Sequence, residues 1–348
     1  MPVTVVVGGQ FGSEGKGKVA HFLAREQKAT VAIRVGGSNS GHTVIDQAGI
    51  ARVFRVLPTA AILRDTICVL AAGSYIDVDV LQNEINNTGI TPDRLVIDPN
   101  AFVITEEHKR LEQEWHLGEK IGSTLSGTGA AIVDRIRRLS DTRLARNDPK
   151  LAPFVKPVLP FLRDSLERGE RILIEGTQGF GLSLLHSPYY PMTTSRDTTA
   201  SAFVAEAGLS PLDVDDVVLV IRAFPIRVGG NSGALPNEVD WETVTRESGA
   251  QGPLIEHTSV TKRIRRVARF DPTVVRNAIA INNPTTIFLN HLDYVDRRVV
   301  VACTATQRVQ AFVTQIEEEI LRSVDFLGIS PTGILKSANY MTAYQKRA

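Results

Sequence analysis

The sequence predicts an α/β fold, with a largely parallel central sheet and helices on both of its faces. Short runs rich in β-branched residues, such as "VTVVVGG", "RILIEG" and "DVVLVIRAF", end in glycine or a polar residue. Helix-like segments, including "GKVAHFLAREQ" and "DVLQNEINNTG", lie between several of these runs. Apolar strands that alternate with helices are typical of parallel sheets covered on both faces. Ligands bind beyond the carboxyl ends of such strands, so the polar residues after each strand are candidates for a site.

Composition limits the classes of protein to consider. With 43% hydrophobic and 22% charged residues, the chain has the balance of a globular protein, and we expect residues 1–348 to form a single domain. The net charge of +1 gives no general attraction to nucleic acid or to a membrane. No apolar stretch reaches the roughly 20 residues of a membrane helix, and the N-terminus lacks a basic segment followed by an apolar one. We therefore expect a cytoplasmic protein that binds neither nucleic acid nor membrane.

Two local features concern the compartment and the organisation of the chain. Cys68 and Cys303 lie in apolar, strand-like runs, "TICVLAAG" and "VVVACTATQ", which predicts two buried thiols in a reducing compartment and no disulfide. The stretch "SDTRLARNDPKLAPFVKP", residues 140–157, is the most linker-like part of the chain.

The segment "GGQFGSEGKGK", residues 8–18, has the composition of a phosphate-binding loop. It follows the first predicted strand and opens a predicted helix, so backbone N–H groups and the helix N-terminus both favour an anion. Lys16 and Lys18 add full positive charges. The loop is P-loop-like and not a standard P-loop, because Gly17 follows Lys16 where Ser or Thr would hold magnesium. The alternative is a plain glycine turn between a strand and a helix.

A second glycine-rich segment, "RVGGSNSGHTV" at residues 34–44, also follows a predicted strand. It carries Asn39, His42 and Thr43 among glycines that let polar groups approach a ligand closely. A lone histidine is usually structural, but one on a glycine-rich loop after a strand is a candidate acid or electrophile. We therefore take His42 as a candidate catalytic residue.

These two segments resemble the two signature loops of the adenylosuccinate synthetase family. Further matches follow in order: "IGSTLSGTGAA" (121–131), "EGTQG" (175–179), "YPMTTSRDTTA" (190–200), "IRVGG" (226–230), "TSVTKRIRR" (258–266) and "NHLD" (290–293). The resemblance covers most of the chain and implies the family's fold and reaction. In that reaction, the γ-phosphate of a nucleotide is transferred to O6 of a purine monophosphate, and the amine of aspartate then displaces this phosphate at C6.

The chain departs from the family pattern at three points. Ser13 stands where the first loop normally has an aspartate, which is the family's base at purine N1 and a magnesium ligand. His291 stands where the guanine-binding motif has a lysine. The chain is also short, with trimmed segments after Arg138 and between Val301 and Ser330. This combination is similar to the viral 2-aminoadenylosuccinate synthetase branch (N6-succino-2-amino-2′-deoxyadenylate synthase), which acts on dGMP.

That branch implies an ATP-dependent ligase that forms a carbon–nitrogen bond. It would join L-aspartate to C6 of dGMP through a 6-phosphoryl intermediate and release 2-amino-2′-deoxy-N6-succinyladenylate, ADP and phosphate, a step towards 2-aminoadenine DNA precursors. His291 removes part of the guanine-specific arrangement, so ATP or dATP is the expected donor, in preference to GTP. A viral source would place the enzyme in the host cytoplasm.

The serine at position 13 has a physical explanation in the substrate. Guanine carries an amino group at C2, where hypoxanthine carries only hydrogen. A carboxylate aimed at N1 would crowd that amino group, whereas serine is smaller and its hydroxyl can accept a hydrogen bond from it. A serine hydroxyl is a poor base, so the N1 proton would pass to water, to Glu14 or to the reacting phosphate, and these alternatives stay open.

The resemblance also implies roles residue by residue. The catalytic residues would be Ser13, Lys16, which neutralises the transferring phosphoryl group, and His42, which donates towards O6 or the bridging phosphate oxygen. Mg²⁺ would be held by Ser13 and the carbonyl of Gly41. The purine monophosphate would be bound by Ser13, Asn39, Thr124, Gln178, Leu182, Thr194 and, from the partner in a homodimer, Arg138. The nucleoside triphosphate would be bound by Gly12, Glu14, Gly15, Lys16, Gly17, Gly41, His42, Thr43, Asn290, His291, Asp293, Thr332 and Gly333. Aspartate would be bound by Thr261, Arg263 and Arg265.

Other interpretations remain open at this point. The basic stretch "TSVTKRIRRVAR" is by itself typical of a solvated face or a nucleic-acid patch. We favour an anion-binding loop, because arginine matches the carboxylates of aspartate bidentately and no aromatic residues interleave the stretch. Two rival functions are a conventional synthetase that uses IMP and GTP, and a non-catalytic nucleotide-binding module. Lys16, His42 and the arginine loop argue against the second, since a simple binder needs no aspartate site.

Overall fold

A computed structural model describes residues 2–140, 143–258 and 262–337 of the chain. In this part of the chain the strands are β1 (Val3–Gly8), β2 (Val31–Arg34), β3 (His42–Ile45), β4 (Ala51–Phe54), β5 (Ile67–Leu70), β6 (Tyr75–Asp77), β7 (Leu95–Ile97), β8 (Phe102–Ile104), β9 (Ile172–Glu175), β10 (Val214–Arg222), β11 (Ile226–Arg227), β12 (Glu238–Val239), β13 (Arg266–Ala268), β14 (Thr286–Asn290), β15 (Phe326–Gly328) and β16 (Ile334–Lys336). The α-helices are α1 (Lys16–Glu26), α2 (Val78–Thr88), α3 (Glu106–Glu114), α4 (Leu117–Ile121), α5 (Thr128–Arg137), α6 (Val158–Glu167), α7 (Ala200–Ala207), α8 (Trp241–Ser248), α9 (Pro272–Asn282), α10 (Val299–Ala302) and α11 (Gln307–Ile320). Within these ranges, no helix combines the length and the apolar character needed to span a membrane.

The described residues contain a central sheet of nine strands, in the order β16-β15-β14-β10-β1-β9-β2-β5-β7. Neighbours from β15 to β7 run parallel, and the edge strand β16 pairs antiparallel with β15. Strand β1, which leads into the first glycine-rich loop, lies between β10 and β9 in the middle of the sheet. The prediction of a largely parallel central sheet is therefore confirmed.

Side chains of the central strands alternate between two packed faces. In β1, Val3, Val5 and Val7 join a core on one face, and Val6 joins a core on the other. The first core includes buried residues of α6, α7, α9 and α11, whereas the second includes buried residues of α1. Strands buried on both faces need apolar side chains at successive positions, which explains the continuous apolar runs in the sequence. The prediction of helices on both faces is confirmed.

Residues 143–157, the part of the linker-like stretch that follows the gap in the described chain, do not form a linker, and that expectation is wrong for them. Ala145, Leu151 and Phe154 are buried in a core that also contains residues of α2 and β5. Between the buried positions the chain forms turns, whose polar and proline residues produced the linker-like composition. The segment is thus part of the packed structure.

Cys68 is buried in β5 as predicted, but Cys303 is exposed, and the expectation of a second buried thiol is wrong. The run that contains Cys303 does not form a strand; it begins with the short helix α10, which ends just before the cysteine. Val299 is fully buried whereas Val301 is 89% exposed, because a helix turns successive residues away from the core.

The parallel register brings charged strand ends together at one edge of the sheet. Arg34 of β2 pairs with Glu175 of β9, and Arg222 of β10 pairs with Asn290 of β14. β1 ends at Gly8 between these two pairs of strands. The first glycine-rich loop therefore leaves the middle of an edge that carries charged residues on both sides.

Candidate functional site

A cavity of about 670 Å³ lies at this edge of the sheet and is lined by both glycine-rich segments. Its volume falls within the range of roughly 300–1,000 Å³ that is typical of ligand sites. The predicted site residues that line it are Gly12, Ser13, Gly15, Lys16, Gly17, Asn39, Gly41, His42, Thr43, Thr124, Gln178, Leu182, Thr194, Arg265, Asn290, His291 and Asp293. The predicted residues that the structure describes outside the lining are Glu14, Arg138, Arg263, Thr332 and Gly333, and Thr261 lies outside the described residues.

The loop between β1 and α1 is shaped to bind an anion. α1 begins at Lys16, and its N-cap residue Gly15 has φ 90° and provides no side-chain cap. The first N–H groups of the helix are therefore left for a ligand, at the positive end of the helix dipole. Gly17 replaces the hydroxyl residue of a P-loop because a Cβ at this position would lie 2.8 Å from the Cβ of His42. The helix thus packs directly against the second glycine-rich segment.

Glu14 organises the loop from inside the protein. Its buried carboxylate accepts hydrogen bonds from the backbone N–H groups of Gln10 and Gly12, at 3.1 and 2.8 Å. The Nζ atom of Lys16 donates to the same carboxylate at 2.6 Å, and Lys16 is only 2% exposed. These contacts commit the Glu14 carboxylate to the loop, so its position does not support a role in accepting the N1 proton. They also hold the ammonium group of Lys16 close to the place where a phosphate would bind.

Ser13 lies half-buried in the wall of the cavity, with its backbone in the left-handed region at φ 56°. This conformation costs a residue with a Cβ about 1–2 kcal/mol, so its surroundings must hold it there. The Nη1 atom of Arg222 donates to the Ser13 carbonyl at 2.9 Å. Because the carbonyl is engaged, the hydroxyl is the oxygen that Ser13 offers to a ligand.

His42 is held by a buried carboxylate that the sequence analysis missed. The Nδ1 atom of His42 lies 2.5 Å from Oε1 of Glu175, and Nη1 of Arg34 donates to the same oxygen at 2.8 Å. The other oxygen of Glu175 accepts from the backbone N–H and the hydroxyl of Thr59, both at 2.8 Å. Burial opposes charge on Glu175, but the bond to His42 and the charge of Arg34 outweigh it and lower the pKa of Glu175 to about 2. Burial, followed by the charge of Arg34, lowers the pKa of His42 to about 4.

Both pKa values lie well below 7, so at pH 7 Glu175 is ionised and His42 is neutral. A neutral imidazole beside an ionised carboxylate carries its proton on the nitrogen that faces the carboxylate, which is Nδ1. Nε2 is the nitrogen left for the cavity, and in this form it accepts a hydrogen bond and cannot donate one. Donation to a substrate oxygen requires a second proton, which the negative charge of a bound triphosphate favours.

The candidates for the purine monophosphate come from separate segments. Asn39 lies on the second glycine-rich segment, Thr124 on the loop before α5, and Gln178, at φ 60°, on the turn after β9. Thr194 and Leu182 are joined by a hydrogen bond of 2.8 Å from the N–H of Thr194 to the carbonyl of Leu182. All five line the cavity, so the structure brings together amides, hydroxyls and one apolar side chain, a combination that suits a phosphorylated base.

The loop after β14 contributes a further part of the cavity wall. Nδ2 of Asn290 donates to the Glu14 carbonyl at 2.8 Å, which fixes this loop to the phosphate loop. Burial lowers the pKa of His291 to about 3, so its ring is neutral at pH 7. Asp293 accepts a hydrogen bond from Arg297 at 2.8 Å, while burial raises its pKa. A nucleotide base here would meet a neutral ring and a carboxylate that is already paired.

Lys18 links α1 to the segment before β16. Its Nζ donates to the carbonyls of Ser330 and Gly333, at 2.8 and 3.0 Å, and burial lowers its pKa to about 8. Thr332 and Gly333 do not line the cavity, but Ser330 and Pro331 do. The predicted base-binding segment therefore reaches the cavity through the two residues that precede the predicted ones.

The basic stretch contributes unevenly to the cavity. Arg265 and Lys262 line it, whereas Arg263 is exposed and lies outside the lining. The backbone N–H of Arg263 donates to the hydroxyl of Thr258 at 3.0 Å, so the backbone at Arg263 is hydrogen-bonded within the loop. Of the predicted arginine pair, the structure thus brings Arg265 to the cavity and leaves Arg263 on the surface.

The sequence analysis missed several charged residues at or beneath the cavity, among them Arg34, Glu175, Arg222, Glu256, Glu112 and Arg227. Three of them, Arg34, Glu175 and Arg222, are the last residues of buried strands. A charge at the end of a buried strand must find a partner, because its desolvation is costly. That position in an otherwise apolar run was the signal that could have identified them.

Oxygen ligands for a divalent cation are available in the cavity. No group of three or more His, Cys, Asp or Glu side chains in the described part of the chain could hold a metal ion. Mg²⁺ usually takes few ligands from the protein and shares the phosphate oxygens of a nucleotide. The Ser13 hydroxyl and the Gly41 carbonyl are hard oxygen donors on residues that line the cavity, so the site fits Mg²⁺ in this manner.

Comparison with known proteins finds relatives along most of the chain. The sequence profile of the family described as adenylosuccinate synthetase matches residues 5–146 and 141–326. The adenylosuccinate synthetase of Methanococcus aeolicus is 38% identical over 338 residues, which are 95% of this chain and 97% of that protein. The enzyme of the same name from Methanocaldococcus jannaschii is 37% identical over 322 residues, which are 90% of each chain.

Two solved structures resemble the fold over nearly its whole length. The cyanophage S-2L succinoaminodeoxyadenylate synthetase (PurZ), bound to dGMP and to dATP as an energy donor, is 30% identical with a TM-score of 0.81, and the match covers 100% of this chain and 99% of that chain. Fully ligated adenylosuccinate synthetase from Plasmodium falciparum is 20% identical with a TM-score of 0.79, over 97% of this chain and 100% of that chain, and supports the fold alone. The chain therefore belongs to the adenylosuccinate synthetase family and is a ligase that forms a carbon–nitrogen bond.

Proposed function

We propose that the chain joins L-aspartate to C6 of dGMP, with ATP or dATP as the phosphoryl donor. The donor's γ-phosphate moves to O6 of the purine, and the aspartate amine then displaces it as inorganic phosphate. The products are 2-amino-2′-deoxy-N6-succinyladenylate, the nucleoside diphosphate and phosphate. The observation that carries this proposal is Ser13, which lines the cavity at the loop position where the family has an aspartate.

The surroundings of Ser13 support a substrate with an amino group at C2. The Ser13 carbonyl is occupied by Arg222 at 2.9 Å, so its short side chain is the part that meets the purine. A carboxylate would add a charge and two atoms at this point of the wall, next to the C2 position. The similarity to an enzyme solved with dGMP and dATP supports the same choice of substrates.

Phosphoryl transfer would use the anion-binding loop and its lysine. The uncapped N–H groups at the start of α1 would hold the phosphates, and Lys16 would leave Glu14 to pair with the transferring group, which carries more negative charge. Nε2 of His42, protonated once the triphosphate is bound, would donate towards O6 or the bridging oxygen. Glu175 would hold the ring in place during this step because it bonds Nδ1.

A magnesium ion would assist by neutralising the charge that develops on the phosphates. The Ser13 hydroxyl and the Gly41 carbonyl are the groups that would hold it, together with phosphate oxygens. Aspartate would bind at the basic loop, where Arg265 lines the cavity and can pair with a carboxylate. We also retain Arg263 and Thr261 as candidates for this site; a role for Arg263 requires the loop to move when aspartate binds.

A homodimer would complete the purine monophosphate site. Arg138 follows α5, is exposed, and lies outside the cavity of its own chain. Val133, Ile136 and Leu139, which lie near it, are 45%, 68% and 71% exposed, an apolar surface that a second copy of the chain would cover. We propose that Arg138 reaches the 5′-phosphate in the partner's cavity, and that the enzyme works in the cytoplasm without nucleic acid or membrane as partner.

A conventional reaction with IMP and GTP is the second candidate. The relatives at 33–38% identity are named adenylosuccinate synthetases, and Asp293 is retained at the position that accepts hydrogen bonds from guanine in the family. Two features favour the first candidate: Ser13, and a His291 ring that is neutral at pH 7 where the family has a lysine.

The test is a substrate grid with a matched variant. Wild type and Ser13→Asp would be incubated with aspartate, Mg²⁺, one of IMP, GMP or dGMP, and one of ATP, dATP or GTP, and phosphate release would be recorded. Wild type should turn over dGMP with ATP or dATP, and Ser13→Asp should lose that activity because the carboxylate crowds the 2-amino group. Faster turnover of IMP than dGMP by wild type, or undiminished use of dGMP by Ser13→Asp, would contradict the proposal.

A further inference from the structure

At the wall of the cavity, an ion pair between the buried Arg222 and the half-buried Glu256 connects the phosphate loop, the loop after β14 and the basic loop. Arg222, the last residue of β10, is fully buried and is the largest fully buried side chain among the described residues. Both terminal nitrogens of its guanidinium contact the carboxylate of Glu256, which lines the cavity; Nη1 lies 3.4 Å from Oε2, and Nη2 donates to Oε1. The pair joins β10 to the start of the basic loop.

The first connection runs from Arg222 to the phosphate loop. Its Nη1 donates to the carbonyl of Ser13 at 2.9 Å, which anchors a residue in a conformation that is costly without support. The side-chain amide of Gln10 also donates to the Arg222 carbonyl at 3.1 Å, and the Arg222 N–H donates back to that amide at 2.9 Å. Three hydrogen bonds thus fix the phosphate loop to the end of β10.

The second connection runs from Glu256 to the other two loops. The hydroxyl of Tyr294, on the loop after β14, donates to Oε1 of Glu256 at 3.0 Å. Nε of Arg265, the arginine of the basic loop that lines the cavity, lies 4.0 Å from Oε2. One carboxylate is therefore shared between two arginines, closely by Arg222 and loosely by Arg265.

The unequal sharing has a consequence for aspartate binding. While Arg222 neutralises Glu256, Arg265 keeps a loose contact and its charge is left for a ligand carboxylate. Without Arg222, the half-buried carboxylate of Glu256 would keep the hydroxyl of Tyr294 and would have Arg265 as its remaining ion-pair partner among the described residues. Partial burial makes a charge without an ion-pair partner costly. Arg265 would then be drawn onto Glu256 and away from the substrate.

We propose that Arg222 is a positioning residue that acts on two substrates at once: it neutralises Glu256 so that Arg265 can bind aspartate, and it anchors Ser13 against the purine. This inference rests on the proposed function for the identity of the aspartate site. It assigns to a residue that touches no substrate two separable effects, one on the KM for aspartate through Glu256 and one on kcat through the Ser13 carbonyl.

A double-mutant cycle tests the proposal by steady-state kinetics. Wild type, Arg222→Met, Glu256→Gln and the double variant would be compared, with whichever purine monophosphate and triphosphate wild type uses best. Arg222→Met should raise the KM for aspartate about 10- to 100-fold, the effect expected for a lost charged hydrogen bond. The double variant, which has neither charge, should return that KM to within about fivefold of wild type, because removing both partners is far less costly than removing one. Its kcat should stay low, because the anchor of Ser13 is still missing.

Two further variants guard the result against loss of folding. Arg222→Lys keeps a positive charge beside Glu256 but has a single terminal nitrogen, which cannot bond Glu256 and the Ser13 carbonyl together as the guanidinium does. It should therefore retain the KM for aspartate and lose kcat. Arg171→Met removes a half-buried arginine that pairs with Asp215 far along the chain, and should leave both constants unchanged. Thermal unfolding of each variant would show that it is folded.

Specific outcomes would overturn the inference. If Arg222→Met leaves the KM for aspartate unchanged, or if the double variant shows the same increase as the single one, Glu256 does not govern Arg265. If Arg222→Met does not fold, the test passes to Arg222→Lys. A raised KM for aspartate in that variant, which keeps the positive charge, would also overturn the inference. A preference of wild type for IMP and GTP would defeat the proposed substrates but would leave this cycle intact, since it is run with the preferred substrates.

Discussion

Nδ1 of His42 lies 2.5 Å from Oε1 of Glu175, at the point where the register of β2 and β9 also brings Arg34 to the same carboxylate. Glu175 is fully buried, and its carboxylate accepts hydrogen bonds from His42, Arg34 and Thr59. It therefore stays ionised and orients the imidazole. The histidine of the second glycine-rich segment is therefore not free on a loop. It is held by a charged network built into the sheet edge.

Replacing Glu175 by glutamine should impair the chemical step. The amide can still bond Nδ1, but it provides no negative charge to favour the protonated ring that donates to oxygen. We expect kcat to fall about 100-fold with little change in the KM values, as for the loss of a general acid. Glu170→Gln is a matched control and should have no effect, because Glu170 is a half-buried carboxylate that pairs with the exposed Arg168 and does not line the cavity. A Glu175→Gln enzyme with the kcat of wild type would show that the carboxylate does not activate His42.

The contribution of His42 to the free energy of unfolding should decrease as the pH falls from about 6.5 towards 4. The pKa of His42 is lowered from 6.5 to about 4, so within this window the unfolded chain binds a proton that the folded protein does not. Glu175, whose pKa is lowered from 4.5 to about 2, extends the same effect to lower pH. The contributions of His42 and Glu175 to stability therefore both rise with pH. Urea denaturation at pH 7 and pH 5 would measure this dependence, and His42→Asn should remove on the order of 1–2 kcal/mol of the difference. If the difference in the free energy of unfolding between pH 7 and pH 5 is as large in His42→Asn as in wild type, His42 is not its source.

The exposed position of Arg263 makes its role a sharp test of the basic loop. If the loop closes on aspartate, Arg263→Ala should raise the KM for aspartate strongly, through the loss of charge-assisted hydrogen bonds worth on the order of 2–3 kcal/mol. Arg269→Ala is the matched control, since Arg269 lies in the same stretch and pairs with Glu247. An unchanged KM, together with weaker binding of RNA or DNA, would instead favour the nucleic-acid interpretation of this stretch.

Mixing two inactive variants would test the shared active site. Arg138→Ala and Lys16→Ala should each be nearly inactive alone, because one lacks the arginine given to the partner and the other lacks the lysine of its own cavity. In a mixed dimer one site collects both defects and the other collects neither, so up to about half of the sites in each heterodimer should recover. If subunit exchange is demonstrated and activity does not return, Arg138 does not act in the partner's cavity.

The sequence predicted the sheet and much of the cavity because those features are local. Apolar runs ending in glycine located strands such as β1 and β9, and the two glycine-rich segments lie on the cavity as expected. The extent of a single domain over residues 1–348 stays a prediction. The linker-like stretch and Cys303 were misjudged because composition does not reveal which side of a turn or short helix faces the core.

The charged networks could not be predicted from local patterns. Glu175 meets Arg34 across 141 positions of the chain, and Glu256 meets Arg222 across 34, so these pairs exist only once the strand order and register are set. Motif comparison proposes residues for substrate contact, whereas these side chains contact or neighbour Ser13, His42 and Arg265 from the wall of the cavity or beneath it. Their identification required the three-dimensional arrangement.

A direct competition between dGMP and IMP tests the central claim. Wild-type enzyme would be given both in equal amounts, with aspartate, Mg²⁺ and ATP or dATP, and the two succinylated products would be separated and quantified by mass spectrometry at low conversion. Their ratio gives the ratio of kcat/KM values, independent of enzyme concentration. We expect the 2-amino product to exceed adenylosuccinate by at least about tenfold, because Ser13 leaves room for the 2-amino group and can bond it. An excess of adenylosuccinate would contradict the account and identify the chain as a conventional adenylosuccinate synthetase.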